Sequence, residues 1–234
     1  MSFAENLDSI RRRMAAACAR AGRDASAVTL LAVSKTHPPE TIQQAVAAGQ
    51  LLFGENKIQE AKAKIPLSPG RARWHFIGHL QSNKVRDAVE WFELIQGVDS
   101  LGIAREISKR AVQAGKTMPA LLEINVAGEG SKFGYQPEQM LRELPELNGL
   151  RNVEIQGLMA IPPYAATPEN ARPYFQRLRA LKAAAEQTLG APLPHLSMGM
   201  SGDFEVAIEE GATIVRVGTA LFGERAATVG RPPD

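Results

Sequence analysis

From residue 28 onward the chain repeats one unit: a short aliphatic or β-branched run, a Gly or polar corner, then a segment of helical periodicity. Strand runs fall near 28–34 (VTLLAVS), 51–54 (LLFG), 73–78 (RWHFIG), 91–97 (WFELIQG), 119–126 (PALLEINV), 152–159 (NVEIQGLM), 194–198 (PHLSM) and 213–217 (TIVRV). Helix candidates lie between them near 38–48, 56–64, 81–89, 100–114, 137–144, 168–188 and 203–210, most opening with Pro, Ser, Asp or Asn. About eight βα units match the size of a closed (β/α)8 barrel, whereas a doubly wound sheet usually stops at five or six strands. The expected fold is therefore α/β, a single (β/α)8 TIM barrel.

Composition limits the alternatives. A chain of 234 residues with 44% hydrophobic and 22% charged residues has ordinary globular make-up, and one of this size can bury roughly 70% of its unfolded surface without a metal or disulfide. No Gly/Ser-rich or Pro-rich linker divides it, so the reading is one domain over 1–230 with a tail at 231–234. A formal net charge of +2 gives no basic footprint for nucleic acid. No apolar run reaches the roughly 18–20 residues that span a bilayer, and Glu5, Asp8 and Arg11 to Arg13 interrupt any signal-peptide core. Instead Phe3, Leu7, Ile10, Met14, Ala17 and Cys18 recur at helical spacing, an N-terminal helix with Cys18 in its core stripe. A single cysteine permits no intramolecular disulfide, which is compatible with the cytoplasm.

A barrel gathers its chemistry at the C-terminal ends of the strands. In VTLLAVSK, alternation places Thr29, Leu31, Val33 and Lys35 on one face, so an inward Val33 stands Lys35 over the mouth. Partial desolvation there makes a lysine available to attack a carbonyl; a solvated loop lysine is the plainer alternative. The loops after strands seven and eight are the usual phosphate positions in barrel enzymes. Here they read Ser197-Met198-Gly199-Met200-Ser201-Gly202-Asp203 and Arg216-Val217-Gly218-Thr219, with Ser201 offering a hydroxyl, Gly218 exposing amides and Thr219 able to cap Ala220–Phe222. Arg216 inside an aliphatic strand needs an acceptor: either a helix carboxylate such as Glu209 or a ligand's ring nitrogen or anion. Amine, phosphate loops and arginine together suggest a phosphorylated carbonyl compound, a sugar phosphate or pyridoxal phosphate.

The motifs AVSKTHP (32–38), FGENKIQEAKAK (53–64), WHFIGHLQSNK (74–84), EINVAGEGSKFG (123–134), GLMAIPP (157–163) and SMGMSGDFEVAIEEGATIVRVGTALFGER (197–225) run through nearly the whole chain. In content and order they resemble the pyridoxal phosphate homeostasis proteins, whose barrel is similar to the N-terminal domain of alanine racemase, the fold-type III arrangement. The resemblance implies that Lys35 carries pyridoxal 5'-phosphate (PLP) as an internal aldimine. It also implies that Ser201, Gly218 and Thr219 hold the phosphate, that Arg216 approaches the pyridine nitrogen, and that Asn56 and Met159 line the site.

A guanidinium donates only, so an Arg216 so placed leaves the ring nitrogen unprotonated and the cofactor a weak electron sink. A racemase also draws a second acid/base from an added β domain and a partner subunit, and no such domain fits after the last strand. The reading is therefore a non-enzymatic, cytoplasmic PLP carrier that takes part in vitamin B6 homeostasis and delivers to apo PLP-dependent enzymes, and the resemblance implies that it is a monomer. The alternative is a minimal amino-acid racemase or Schiff-base aldolase using the same lysine. Other residues carry weaker expectations. His75 and His79 share a face if WHFIGH is extended, and with His195 they make a conceivable but disfavoured metal site, since no HxH pair or clear acidic ligand accompanies them. Lys132 is either a transfer lysine or a loop lysine, Asn56 either a site residue or a helix cap, and Tyr135, Tyr164 and Tyr174 are scattered. The basic helix at 172–186 reads as a solvated face.

Overall fold

Alternation within each strand sorts the side chains into two shells. In β1 (Thr29–Val33), Leu31 and Val33 pack inside the barrel with Leu94, Leu121, Met159 and Ile214, while Leu30 and Ala32 pack outward against the helices. The remaining strands are β2 (Leu52–Glu55), β3 (Arg73–Phe76), β4 (Leu94–Val98), β5 (Met118–Glu123), β6 (Val153–Met159), β7 (His195–Ser197) and β8 (Ile214–Val217). All neighbours are parallel, and β8 closes on β1 with Leu31 opposite Arg216. The computed structural model describes residues 2–128, 133–163 and 166–223, so Lys132, Tyr164 and the tail at 231–234 lie outside the described residues.

The helices are α1 (Phe3–Arg20), α2 (Pro39–Ala47), α3 (Ile58–Lys64), α4 (Val85–Trp91), α5 (Leu101–Gln113), α6 (Pro137–Asn148), α7 (Arg172–Leu189), α8 (Phe204–Glu209) and α9 (Thr219–Phe222). Helix α1 opens with a capping box between Ser2 and Glu5 and buries Leu7, Ile10, Met14, Ala17 and Cys18. Its Arg13 forks onto Glu205 of α8 at 2.8 and 3.1 Å, and Asn6 donates to the Leu221 carbonyl at 2.9 Å. The N-terminal helix thus braces α8 and α9, the two elements that follow the loops after β7 and β8.

Four expectations change at the level of elements. Trp91 ends α4 rather than opening a strand, because Val85, Ala88 and Val89 bury one helical face and β4 begins only at Leu94. The third strand stops at Phe76, so His75 sits inside the barrel and His79 at its rim, on no common face. The turn is tight: a Cβ on Gly78 would lie 2.3 Å from the Asn56 carbonyl oxygen. Glu55 ends β2 instead of following it. Finally, α7 is not simply solvated, since Arg172 bridges Glu169, Glu209 and Glu210 and Arg177 donates to the Val126 carbonyl at 2.6 Å.

Candidate functional site at the barrel mouth

The inward alternation of β1 and β8 carries Lys35 and Arg216 to the same place. Both line a cavity of about 700 Å³ at the C-terminal ends of the strands, together with Asn56, Ser201, Gly218 and Thr219. Six of the seven residues singled out in the sequence therefore share one cavity. Met159 does not line it: fully buried, it packs in the apolar layer with Val33, which does reach the cavity. Its position on the inward face one strand-end too deep explains the difference.

Arg216 is 3% exposed and does not reach Glu209, which pairs instead with Arg20 and Arg172 on the outside of the barrel. An inward side chain on β8 cannot meet an outer helix. Its guanidinium donates to Ser197 Oγ and to the Ala160 carbonyl, both at 2.8 Å. The chain of donors continues across the interior: Ser197 Oγ donates to Gln96 Oε1 at 2.6 Å, and Gln96 Nε2 meets His75 Nδ1 at 3.0 Å. Four strands thus satisfy their buried polar groups through one another. Burial draws Arg216 down to about 10, with Glu123 and Asp203 opposing the shift, so it remains charged at neutral pH. Burial likewise pushes His75 down to about 3, with Arg73 and His195 adding to the effect, and keeps it a neutral acceptor.

The loops after β7 and β8 meet at Ser201. Its Oγ accepts from the Gly218 and Ala220 amides at 3.3 and 3.4 Å, which brings the loop after β7 onto the first turn of α9. Ser201, not Thr219, therefore caps this short helix; Thr219 is already its first residue and makes no capping bond. Asn56 is not a cap either, because Lys57 holds that position in α3, and Asn56 stays on the cavity wall.

The opposite wall carries a residue that no motif announces. Glu123, the last residue of β5 and 8% exposed, lines the cavity with one oxygen lacking a partner. Burial, then Asp99, raises it to about 7, while Arg216 and His79 pull it down. Its inward alternation with Leu121 was the available signal. At the rim His79 bonds Asp99 at 2.8 Å and stacks on Phe133, with ring centroids 3.7 Å apart. The three histidines have separate partners, and among the described residues no cluster suited to a metal ion occurs. Tyr135 packs between barrel and helices. The assembled cavity holds a primary amine, a hydroxyl between two amides and a charged guanidinium, the groups needed to capture an anionic carbonyl compound.

A model of the family described as alanine racemase, N-terminal domain, matches residues 6–226. A pyridoxal phosphate homeostasis protein of Aquifex aeolicus is 48% identical over 227 residues, covering 96% of this chain and 99% of that protein. The chain belongs to the pyridoxal phosphate homeostasis protein family. An Escherichia coli member of the family is 41% identical over 232 residues, covering 95% of this chain and 97% of its own. Among solved structures, PipY of Synechococcus elongatus with PLP bound superposes with a TM-score of 0.84 at 39% identity, covering 95% of this chain and 100% of PipY. The family's barrel extends to more distant proteins: an alanine racemase of Clostridium difficile gives a TM-score of 0.72 at 15% identity, with 97% of this chain covering 58% of that one. That likeness is one of fold. No helix among the described residues is long and apolar enough to cross a membrane.

Proposed function

We propose that this protein binds PLP at the barrel mouth, with Lys35 as the covalent anchor, and serves vitamin B6 homeostasis as a carrier without turnover. The observation that carries this reading is that Lys35 shares one cavity with Ser201, Gly218, Thr219, Asn56 and Arg216. The residues suit the group: an amine for its aldehyde, a hydroxyl and adjacent amides for its phosphate, and a buried donor for its ring. When bound, PLP supplies a reactive aldehyde and a ring whose strength as an electron sink depends on protonation of its nitrogen. Arg216 provides only donors and stays charged, so it supplies no carboxylate to keep a proton there. Ser201, Gly218 and Thr219 fix the phosphate end, Asn56 bounds the wall beside Lys35, and Met159 supports the floor through Val33. In this reading the protein is a cytoplasmic monomer of one domain over 1–230, and its partners are apo PLP-dependent enzymes.

The phosphate assignment is tested by the double variant Ser201→Ala with Thr219→Ala. Loss of hydrogen bonds to a charged ligand is worth about 1.5–3 kcal/mol, so PLP affinity should fall about 10- to 100-fold in equilibrium titration. Unchanged affinity would place the phosphate elsewhere.

One observation favours a second reading, turnover on amino acids by a minimal racemase or aldolase: Glu123 titrates near neutrality inside the cavity, as an acid/base group should. Under the carrier reading, PLP-loaded protein incubated with a panel of amino acids in deuterated water incorporates no more α-deuterium than free PLP does. Exchange that exceeds this background and disappears in Glu123→Gln would establish an enzyme.

A further inference from the structure

Lys35 is flanked by two residues that are held from behind. Ser34 is fully buried and faces outward between barrel and helices, where its hydroxyl donates to Glu55 Oε1 at 2.7 Å and its carbonyl accepts from Lys64 Nζ at 2.7 Å. Thr36 donates its backbone N–H to Glu60 Oε1. Lys64 joins these contacts, lying 2.5 Å from Glu55 Oε1 and 3.2 Å from Glu60 Oε1, with a side chain only 4% exposed. Lys64 and Glu60 thus hold the backbone on either side of the cavity lysine, and Glu55 holds both Lys64 and the Ser34 hydroxyl.

The grip coincides with an unusual backbone. Thr36 has φ of 69°, a left-handed conformation that β-branched residues seldom adopt. Such residues persist where surrounding structure over-determines them, and they concentrate at functional sites. A buried ion pair is also a poor way to gain stability, because desolvation offsets its attraction. The strand β1 ends at Val33, and besides Lys64 helix α3 buries the apolar Ile58 and Ala61, so a charged residue is not the only way to seat it.

We propose that Lys64, with Glu55 and Glu60, is a positioning device for Lys35: it fixes residues 34 and 36, holds Thr36 left-handed and so projects the Lys35 amine into the cavity. Lys64 touches no ligand in this role and acts through the backbone. The inference rests on the reading of Lys35 as the PLP anchor.

The test compares two ligands. PLP reports linkage to Lys35 through its absorbance, whereas 4'-deoxypyridoxine 5'-phosphate, with a methyl group for the aldehyde, reports only the ring and phosphate contacts. In the full-length protein, Lys64→Met should slow formation of the lysine-linked absorbance about tenfold or more, as misplaced reacting groups do, while affinity for the deoxy analogue changes less than about twofold. Adding Thr36→Gly should recover most of that loss, because glycine adopts positive φ without the penalty that Thr36 bears, itself about tenfold in population. Glu60→Ala, on a half-buried residue, provides a milder variant with the same direction of effect should Lys64→Met not fold.

Wild-type linkage rates in both Lys64→Met and Glu60→Ala would overturn the proposal, as would equal losses for the two ligands or failure of Thr36→Gly to restore linkage. Wild-type protein that binds neither ligand would instead remove the PLP reading and this inference with it.

Discussion

Replacing Lys35 by Ala should abolish the visible absorption that a PLP-loaded preparation shows. Lys35 lines the cavity from just beyond β1 and is only partly buried, so its removal should leave stability within about 0.5 kcal/mol of the wild type. The variant keeps Ser201, Gly218, Thr219 and Arg216 and should bind PLP reversibly, losing it on gel filtration. Delivery follows the same line: loaded wild type should reactivate an apo PLP-dependent enzyme, while Lys35→Ala treated identically should carry nothing across. A band of undiminished intensity in the variant would move the linkage to another lysine.

His75→Asn should change how stability depends on pH. The His75 imidazole accepts from Gln96 at 3.0 Å inside the barrel, and burial holds its pKa near 3 against an ordinary 6.5. Between those values the unfolded chain takes up a proton at this residue that the folded chain refuses. The contribution of His75 is therefore fully present above pH 6.5 and declines as pH falls, by about 1.4 kcal/mol per unit. Asparagine can place an oxygen near the lost Nδ1 and does not titrate. The advantage of wild type over His75→Asn, from denaturant unfolding, should shrink by that slope below pH 6.5.

Glu123 acts in the opposite sense. Its pKa, raised from 4.5 to about 7, gives a contribution present below 4.5 and lost as pH rises through 7. The wild-type curve alone is thus flattened where the two windows overlap, and the difference between wild type and His75→Asn isolates the histidine. A difference that stays constant from pH 7 to 5 would show that His75 is protonated or solvated in the folded protein.

How much of this was legible in the sequence depended on whether the signal was local. The βα rhythm needs only a few neighbouring residues to declare itself, and all eight strands occur where their runs lie. Lys35 is legible along one strand, because Leu31, Val33 and Lys35 share a face by alternation alone. Arg216 stands out as a charge in an aliphatic strand, but its partners do not, since Ser197 lies on β7 and Ala160 just beyond β6. Thr219 illustrates the limit: its type and spacing suit a cap, yet Ser201, 17 residues before Gly218, takes that role because two loops converge on one helix. Glu123 and Gln96 carry little local signal for the same reason. Each is a polar residue closing or interrupting an apolar run, and its meaning lies in what stands across the barrel.

The sequence by itself determined the repeat, the inward and outward faces, and the residue types at the strand ends, because backbone geometry imposes periods of 2.0 and 3.6 on any chain. Closure of β8 onto β1 decided the rest. It set Arg216 beside the Lys35 strand and joined four strands through Arg216, Ser197, Gln96 and His75, while the pairing of β1 with β2 lets α3, which follows β2, bring Lys64 to Ser34, thirty residues away. These are contacts between strands and helices, and desolvation decides them: a buried charge must find its partner in space, whatever its distance along the chain.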